Sequence, residues 1–141
     1  MTTQDLYSSG EYSKKNHDYH TEDSKFKWGN FRRIILNSNI DTSKFNLIGE
    51  VGCGAGKILS EAKKSGMFTK AIFHGYDPNP EAIKLAKKLD ETIDFVHGDF
   101  TKMNIEKNFD LMLVADVLEH LDDPSEFLEK LKKKGKFFLF N

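Results

Sequence analysis

The stretch EVGCGAGKIL, residues 50–59, carries the pattern with the clearest chemical implication in this sequence. Three glycines stand at alternate positions, Gly52, Gly54 and Gly56, and an acidic residue, Glu50, precedes them. Glycine weakens regular elements and is retained where the backbone turns sharply or approaches a ligand closely. An apolar run precedes this loop and a helix-like run follows it. The spacing therefore predicts a ligand-binding turn between a strand and a helix.

Known glycine motifs narrow the choice of ligand. A phosphate-binding P-loop needs a glycine at the position of Val51 and a hydroxyl at that of Ile58, so this motif is excluded. A dinucleotide fingerprint needs its third glycine where Lys57 stands, which weakens a pyrophosphate site without excluding it. A tight turn without any ligand is the remaining alternative, although a single glycine often suffices for such a turn.

The elements around this loop alternate between strand and helix. Apolar runs predict strands in FNLIGEV, AIFHGYD, IDFVHGDF, FDLMLVAD and KFFLFN. Helices are predicted in AGKILSEAKKSG, in NPEAIKLAKKL with Asn79 as cap, and in DPSEFLEKLKKKG with Asp123 as cap. This alternation predicts an α/β fold, a three-layer αβα sandwich with a mostly parallel sheet that binds its ligand at the carboxyl ends of the strands.

A further helix is predicted before the first strand, in EDSKFKWGNFRRIIL, with Asp23 or Ser24 as its cap. Its spacing predicts one shared apolar face, made of Phe26, Trp28, Phe31, Ile34 and Ile35. Residues 1–22 are polar and without periodicity, and we interpret them as a flexible N-terminal arm. Residues 23–141 are predicted to form one domain.

Composition excludes several classes of function. The formal net charge of −1 gives no global attraction to nucleic acid or to an anionic membrane. Apolar runs near 18 residues are missing, and the first 20 residues lack the apolar core of a secretory signal. The single cysteine, Cys53, has no partner for an internal disulfide, which favours a reducing, cytoplasmic location.

Four segments together resemble the motifs of the class I S-adenosylmethionine-dependent methyltransferases. The first is the glycine loop with Glu50, and the second is Asp77 at the end of strand two. The third is GDF, residues 98–100, and the fourth is ADVLEHLDDP, residues 115–124. Each follows a predicted strand. The earlier segment YHTEDSKFKW, residues 19–28, resembles a subgroup that methylates surface polysaccharides or other small molecules.

The resemblance implies strand order 3-2-1-4-5 and S-adenosyl-L-methionine as cofactor. It implies that Asp77 grips the ribose hydroxyls, that Asp99 contacts the adenine amino group with Phe100 against the ring, and that Asp116 lies beside the methionine part. The implied cofactor-binding set is Glu50, Gly52, Cys53, Gly54, Gly56, Asp77, Pro78, Asp99, Phe100, Asp116 and Val117.

His120 is the candidate catalytic residue, a general base whose unperturbed pKa lies near neutrality. His20 is its rival, on an N-terminal arm that is expected to fold over the cleft. We interpret His74 and His97 as structural. His120, Asp122 and Asp123 lie on one turn, which rarely builds a closed metal site, so no metal is predicted.

The resulting functional hypothesis is methyl transfer to a small molecule, with a sugar or polysaccharide precursor as the favoured acceptor. Two alternatives stay open: a domain that binds the cofactor without turnover, and an NAD-dependent oxidoreductase. Family members normally continue past strand five with a helix and two antiparallel strands, so the sequence ending at Asn141 is interpreted as a short or truncated form. We expect self-association through the strand at 136–141, since apolar edges invite pairing, or a fold that is stable only with a further C-terminal segment.

Overall fold

The computed structural model describes residues 23–141. Its first element is helix α1, Ser24–Asn37, as predicted. The predicted cap differs, because Asp23 stands at the N-cap position but its side chain accepts no capping hydrogen bond. The predicted apolar face is also too wide. Trp28, Phe31 and Ile35 are buried, whereas Phe26 is 70% exposed and Ile34 48% exposed.

Five parallel strands form the sheet, in the order β3-β2-β1-β4-β5, which confirms the predicted order. They are β1 (Leu47–Val51), β2 (Ile72–Asp77), β3 (Asp94–His97), β4 (Phe109–Val114) and β5 (Gly135–Phe140). The order reverses between β1 and β4, because the chain leaves β1 toward β2 and β3 and later returns to β4. A crevice therefore opens at the carboxyl ends of these two strands.

Three further helices flank the sheet: α2 (Lys57–Lys64), α3 (Pro80–Leu89) and α4 (Pro124–Leu131). Short 3₁₀ turns lie at Thr42–Lys44 and Leu118–His120. On one face of the sheet, α1, α2 and α3 bury Phe31, Leu59 and Ala86. On the other face, α4 buries Phe127 and Leu131 against β4. All residues of β4 are buried, as expected for a strand that is covered on both faces.

Two predicted caps place helices directly after the crevice loops. The Asn79 side chain accepts hydrogen bonds from the N–H groups of Glu81 and Ala82 at the start of α3. The Asp123 side chain accepts one from the N–H of Glu126 at the start of α4. A proline occupies the first turn of each helix, where its fixed φ suits the helix and its missing N–H costs nothing.

Strand β5 lies at one edge of the sheet and pairs with β4 alone within the described residues. Phe137 and Phe140 are each 40% exposed, while Phe138 and Leu139 are half-buried against opposite faces. The pairing of this edge with a second copy stays a prediction.

Between residues 23 and 141, no helix is both long enough and apolar enough to span a bilayer.

Candidate functional site

A pocket opens at the carboxyl ends of β1, β2 and β4, where the predicted motifs meet. All but one of the predicted site residues line it: Glu50, Gly52, Cys53, Gly54, Asp77, Pro78, Asp99, Phe100, Asp116, Val117 and His120. The exception is Gly56, which lies outside the lining. Residues that are 70 positions apart in sequence thus share one cavity, because parallel strands end at the same edge of the sheet.

The three glycines of the loop all have positive φ, but for different steric reasons. A Cβ atom on Gly52 would lie 2.6 Å from the side chain of Val117. A Cβ on Gly56 would lie 2.5 Å from the ring of Phe95, so the structure gives this glycine a packing role. At Gly54, φ is 52° and a Cβ would meet nothing within 4 Å. Gly54 is therefore the position at which the backbone lies open to a ligand.

Hydrogen bonds tie the glycine loop to the end of β2. The N–H groups of Gly52 and Cys53 donate to the carbonyl of Tyr76 at 2.8 and 3.0 Å. The N–H of Gly54 donates to Asp77 Oδ2 at 2.8 Å. The loop and the acidic residue predicted to bind a diol are thereby held at a fixed distance from each other.

Asp77 keeps unused acceptor capacity toward the pocket. Its Oδ1 accepts a second backbone hydrogen bond, from the N–H of Asn79 at 2.8 Å. An ionised carboxylate has about four lone-pair sites, so about two remain. Burial raises the pKa of Asp77 more than the N–H groups of Asn79 and Gly54 lower it. The ionised form is thus short of stabilising partners, which a hydroxyl donor would supply.

Glu50 lies under the loop in the middle of the sheet and is 1% exposed. Its Oε2 has no hydrogen-bond partner among residues 23–141. Burial raises the pKa of Glu50 well above its usual value, and the neighbouring Asp77 raises it further. A hydrogen bond from the Leu59 N–H and the charge of Lys27 oppose this shift.

The GDF segment has a structural role as well as a place in the pocket. Asp99 Oδ1 accepts hydrogen bonds from the N–H and the hydroxyl of Thr101, at 2.9 and 2.7 Å, and so forms a turn. The ring of Phe100 is buried and packs edge-on against Tyr76, with centroids 5.2 Å apart. Asp99 therefore combines pocket contact with a turn, and Phe100 combines it with core packing. The contact of either residue with an adenine ring stays a prediction.

Asp116 makes an ion pair that sequence reasoning missed. Its carboxylate pairs with Lys27 of α1, although the two residues are 89 positions apart. Asp116 is the one non-glycine residue with positive φ in the described chain, at 53°. Lys27 is only 8% exposed. The helical spacing could have indicated that Lys27 is buried, because Lys27 lies four residues before Phe31 and eight before Ile35, on the flank of the buried face.

Cys53 and His120 line the pocket, whereas His74 lies in the core. Burial raises the pKa of the Cys53 thiol well above its usual value, with Asp77 and Glu50 adding to the effect, so the thiol stays protonated. His120 lines the pocket with about a third of its side chain exposed, and its Nε2 lies 4.0 Å from Glu119. His74 is buried beside Asp94, which fits a structural role.

Within the described range, His, Cys, Asp and Glu side chains form no group of three or more that is placed to hold a metal ion.

Comparison with known proteins identifies relatives by sequence. A family model described as a methyltransferase domain matches residues 49–139. The mitochondrial ubiquinone biosynthesis O-methyltransferase of Schizosaccharomyces pombe is 30% identical over 101 residues, covering 64% of this chain and 35% of that protein. The malonyl-[acyl-carrier protein] O-methyltransferase of Haemophilus ducreyi is 31% identical over 115 residues, covering 76% and 44%. The chain spans less than half the length of either relative.

Comparison with solved structures gives the same fold. The N-methyltransferase NodS of Bradyrhizobium japonicum, solved with S-adenosyl-L-homocysteine, superposes with a TM-score of 0.64 at 21% identity. The match covers 82% of this chain and 60% of that one. The shared architecture includes the layers and strand order described above.

Proposed function

This chain belongs to the methyltransferase domain family, and from that premise we propose that it binds S-adenosylmethionine in the pocket and transfers its methyl group to a small molecule. The observation that carries the proposal is the pairing of Gly54 with Asp77. Gly54 offers backbone that lies open to a ligand, and Asp77 offers unused acceptor sites beside it.

The pocket residues fit the chemical groups of this cofactor. Asp77 has acceptor sites for a ribose diol, and Phe100 with Asp99 borders the space for an adenine ring. Glu50 offers a buried carboxyl oxygen without a partner to a positive charge. We assign the ribose to Asp77, the adenine to the GDF segment and the cationic methionine end to the side of Glu50 and Asp116.

S-adenosylmethionine supplies a methyl group that is already activated on a sulfonium, so the protein's task is to position the acceptor in line with it. Gly52 lies directly against the side chain of Val117, and this close approach keeps the glycine loop near the residues that follow β4. His120 is our candidate for the base that takes a proton from an oxygen acceptor. His120→Ala is expected to lower turnover with little change in cofactor affinity; unchanged turnover would remove His120 from this role.

The names of the relatives bear on the class of acceptor. The relatives are named as O-methyltransferases of ubiquinone biosynthesis and of malonyl-[acyl-carrier protein], and the structural neighbour as an N-methyltransferase. These names favour small or carrier-bound acceptors without fixing the accepting atom. A sugar or polysaccharide precursor stays a prediction from residues 19–28, of which 19–22 lie outside the described residues, as does His20.

Calorimetric titration tests the proposal and its alternatives. The protein is titrated with S-adenosyl-L-homocysteine and, in parallel, with NAD. We expect saturable binding of the first and none of the second. NAD binding alone would favour the oxidoreductase alternative. Binding of S-adenosyl-L-homocysteine without methyl transfer to any acceptor would favour a domain that binds the cofactor without turnover.

A further inference from the structure

Two carboxyl groups, the buried Glu50 and the half-buried Asp77, face one pocket without a cation of their own. Glu50 is 1% exposed. The carboxylate of its neighbour Asp77 accepts hydrogen bonds from two backbone N–H groups, those of Gly54 and Asn79. Within residues 23–141, neither forms an ion pair with Lys or Arg. Two like charges that share a low-dielectric site cannot both stay ionised unless a cation joins them.

The groups that face Glu50 come from four elements. Asp77, at the end of β2, raises its pKa, as does burial itself. Lys27 of α1 and the Leu59 N–H of α2 favour the ionised form, but the Lys27 ammonium is already paired with Asp116. Cys53 of the glycine loop is a neutral thiol. The surroundings thus hold one fixed negative charge and one cation that is committed elsewhere.

We propose that Glu50 selects the charge of the ligand by exchange: the free protein keeps a proton on Glu50, and the cationic end of the bound ligand replaces that proton, which leaves to solvent. This inference rests on the proposed cofactor. The exchanged charge is the net positive charge of the methionine end, which carries an ammonium, a sulfonium and a carboxylate. No covalent bond changes apart from the O–H bond of the Glu50 carboxyl group.

The exchange predicts a specific dependence of affinity on pH. Below the pKa of Glu50 in the free protein, binding must displace a proton, so affinity rises with pH by up to tenfold per unit. Above that pKa the carboxylate is already ionised and the dependence disappears. A ligand without positive charge gains nothing from the ionised form and binds without this dependence.

The test is calorimetry of the purified chain in buffers of different ionisation enthalpy, near pH 6.5, where an α-amino group of pKa about 7.7–8.0 is still protonated. The difference in heat between buffers gives the protons released per ligand bound. S-adenosylmethionine is expected to release up to one proton. 5′-Methylthioadenosine, which keeps the adenosine and the thioether but carries no charge, is expected to release none.

Two variants locate the proton. Glu50→Gln mimics the protonated side chain and is expected to abolish the release. Glu81→Gln is the matched control, because Glu81 is an exposed carboxylate outside the pocket that pairs with Lys84 at 2.8 Å, and it is expected to keep the release. Buffer-independent heats for wild-type binding, equal release with 5′-methylthioadenosine, or undiminished release in Glu50→Gln would each overturn the exchange. The absence of any binding heat would instead count against the proposed cofactor.

Thermal melting of the ligand-free protein gives a second, independent readout. A carboxyl whose pKa is higher in the folded than in the unfolded chain destabilises the fold increasingly as pH rises from the unfolded toward the folded pKa. Glu50→Gln lacks this penalty, so its melting temperature is expected to exceed that of the wild type by a margin that grows with pH. A margin that shrinks as pH rises would contradict a protonated Glu50.

Discussion

Asp77 and Asp110 stand at opposite ends of the same sheet and differ in how their charge is compensated. Each accepts hydrogen bonds from two backbone N–H groups: Gly54 and Asn79 bind Asp77, while Asn46 and Leu47 bind Asp110 at 2.7 and 3.0 Å. Only Asp110 has a lysine in addition, with Nζ of Lys136 3.0 Å from its Oδ1.

The pKa values of the two carboxyls move in opposite directions. Burial raises both, but at Asp110 the N–H of Asn46, Lys136 and the N–H of Leu47 together outweigh it and lower the pKa. At Asp77 burial prevails and the pKa rises. A carboxylate that is paired with a lysine has its charge compensated within the fold. One without a cation keeps its capacity for a ligand, and we expect this difference to separate a structural aspartate from a binding one.

Asp77→Ala is the change with the largest expected effect on binding. A ribose diol would donate two hydrogen bonds to a charged acceptor, each worth about 1.5–3 kcal/mol, so affinity for S-adenosyl-L-homocysteine should fall at least tenfold. The ligand-free melting temperature should change little, since the freed N–H groups of Gly54 and Asn79 lie at the pocket and can be hydrated. Calorimetry and thermal melting measure the two quantities. Unchanged affinity would mean that Asp77 only holds the glycine loop against the end of β2.

Asp110→Ala should give the reverse pattern. Removing the carboxylate leaves two N–H groups at the start of β1 without an acceptor, and we expect the free energy of unfolding to fall by about 2 kcal/mol at neutral pH. Lys136 adds little to this figure, because its side chain is 65% exposed. Ligand affinity should stay as in the wild type. Urea denaturation and calorimetry measure both, and lost affinity with intact stability would break the comparison.

The pH dependence of Asp110 has a defined sign. Its pKa is lower in the folded chain than the ordinary 3.8, so its stabilisation is present above that value and is lost as pH falls through the folded pKa. The stability difference between wild type and Asp110→Asn should therefore shrink below about pH 4.

Sequence patterns predicted the parts of this molecule that depend on neighbours along the chain. The strands, the caps at Asn79 and Asp123 and the strand-to-helix loop follow from local periodicity and turn chemistry. The strand order was implied by the family resemblance, and the parallel sheet then brought the predicted motifs into one pocket.

Contacts between distant side chains were beyond those patterns. Gly56 is needed because the ring of Phe95, in β3, fills the space beside it, and no local signal records that contact. Phe26 resembles a core residue by type, yet it lies about half a helical turn away from Ile35 and faces solvent. The partner of Asp116 depends on how α1 is rotated against the sheet.

Asp116 sharpens the comparison, because it lies at the pocket like Asp77 but is paired with a lysine like Asp110. Lys27→Met keeps the apolar length of the side chain and removes the cation, which leaves Asp116 without its ion pair to α1. Because 34% of the Asp116 side chain is exposed and can be hydrated, we expect the free energy of unfolding to fall by about 1 kcal/mol, less than at a fully buried pair. Amide exchange in α1 should also accelerate.

The matched control is Lys44→Met, since Lys44 pairs with Asp41 at an exposed position, with 82% of its side chain accessible. This substitution should leave both stability and exchange unchanged. A double-mutant cycle of Lys27→Met with Asp116→Asn isolates the coupling between the two side chains. If Lys27→Met proves as stable as Lys44→Met and the cycle shows no coupling, then a carboxylate at the pocket does not need its own cation. Position in the sheet, and not the cation, would in that case distinguish Asp77 from Asp110.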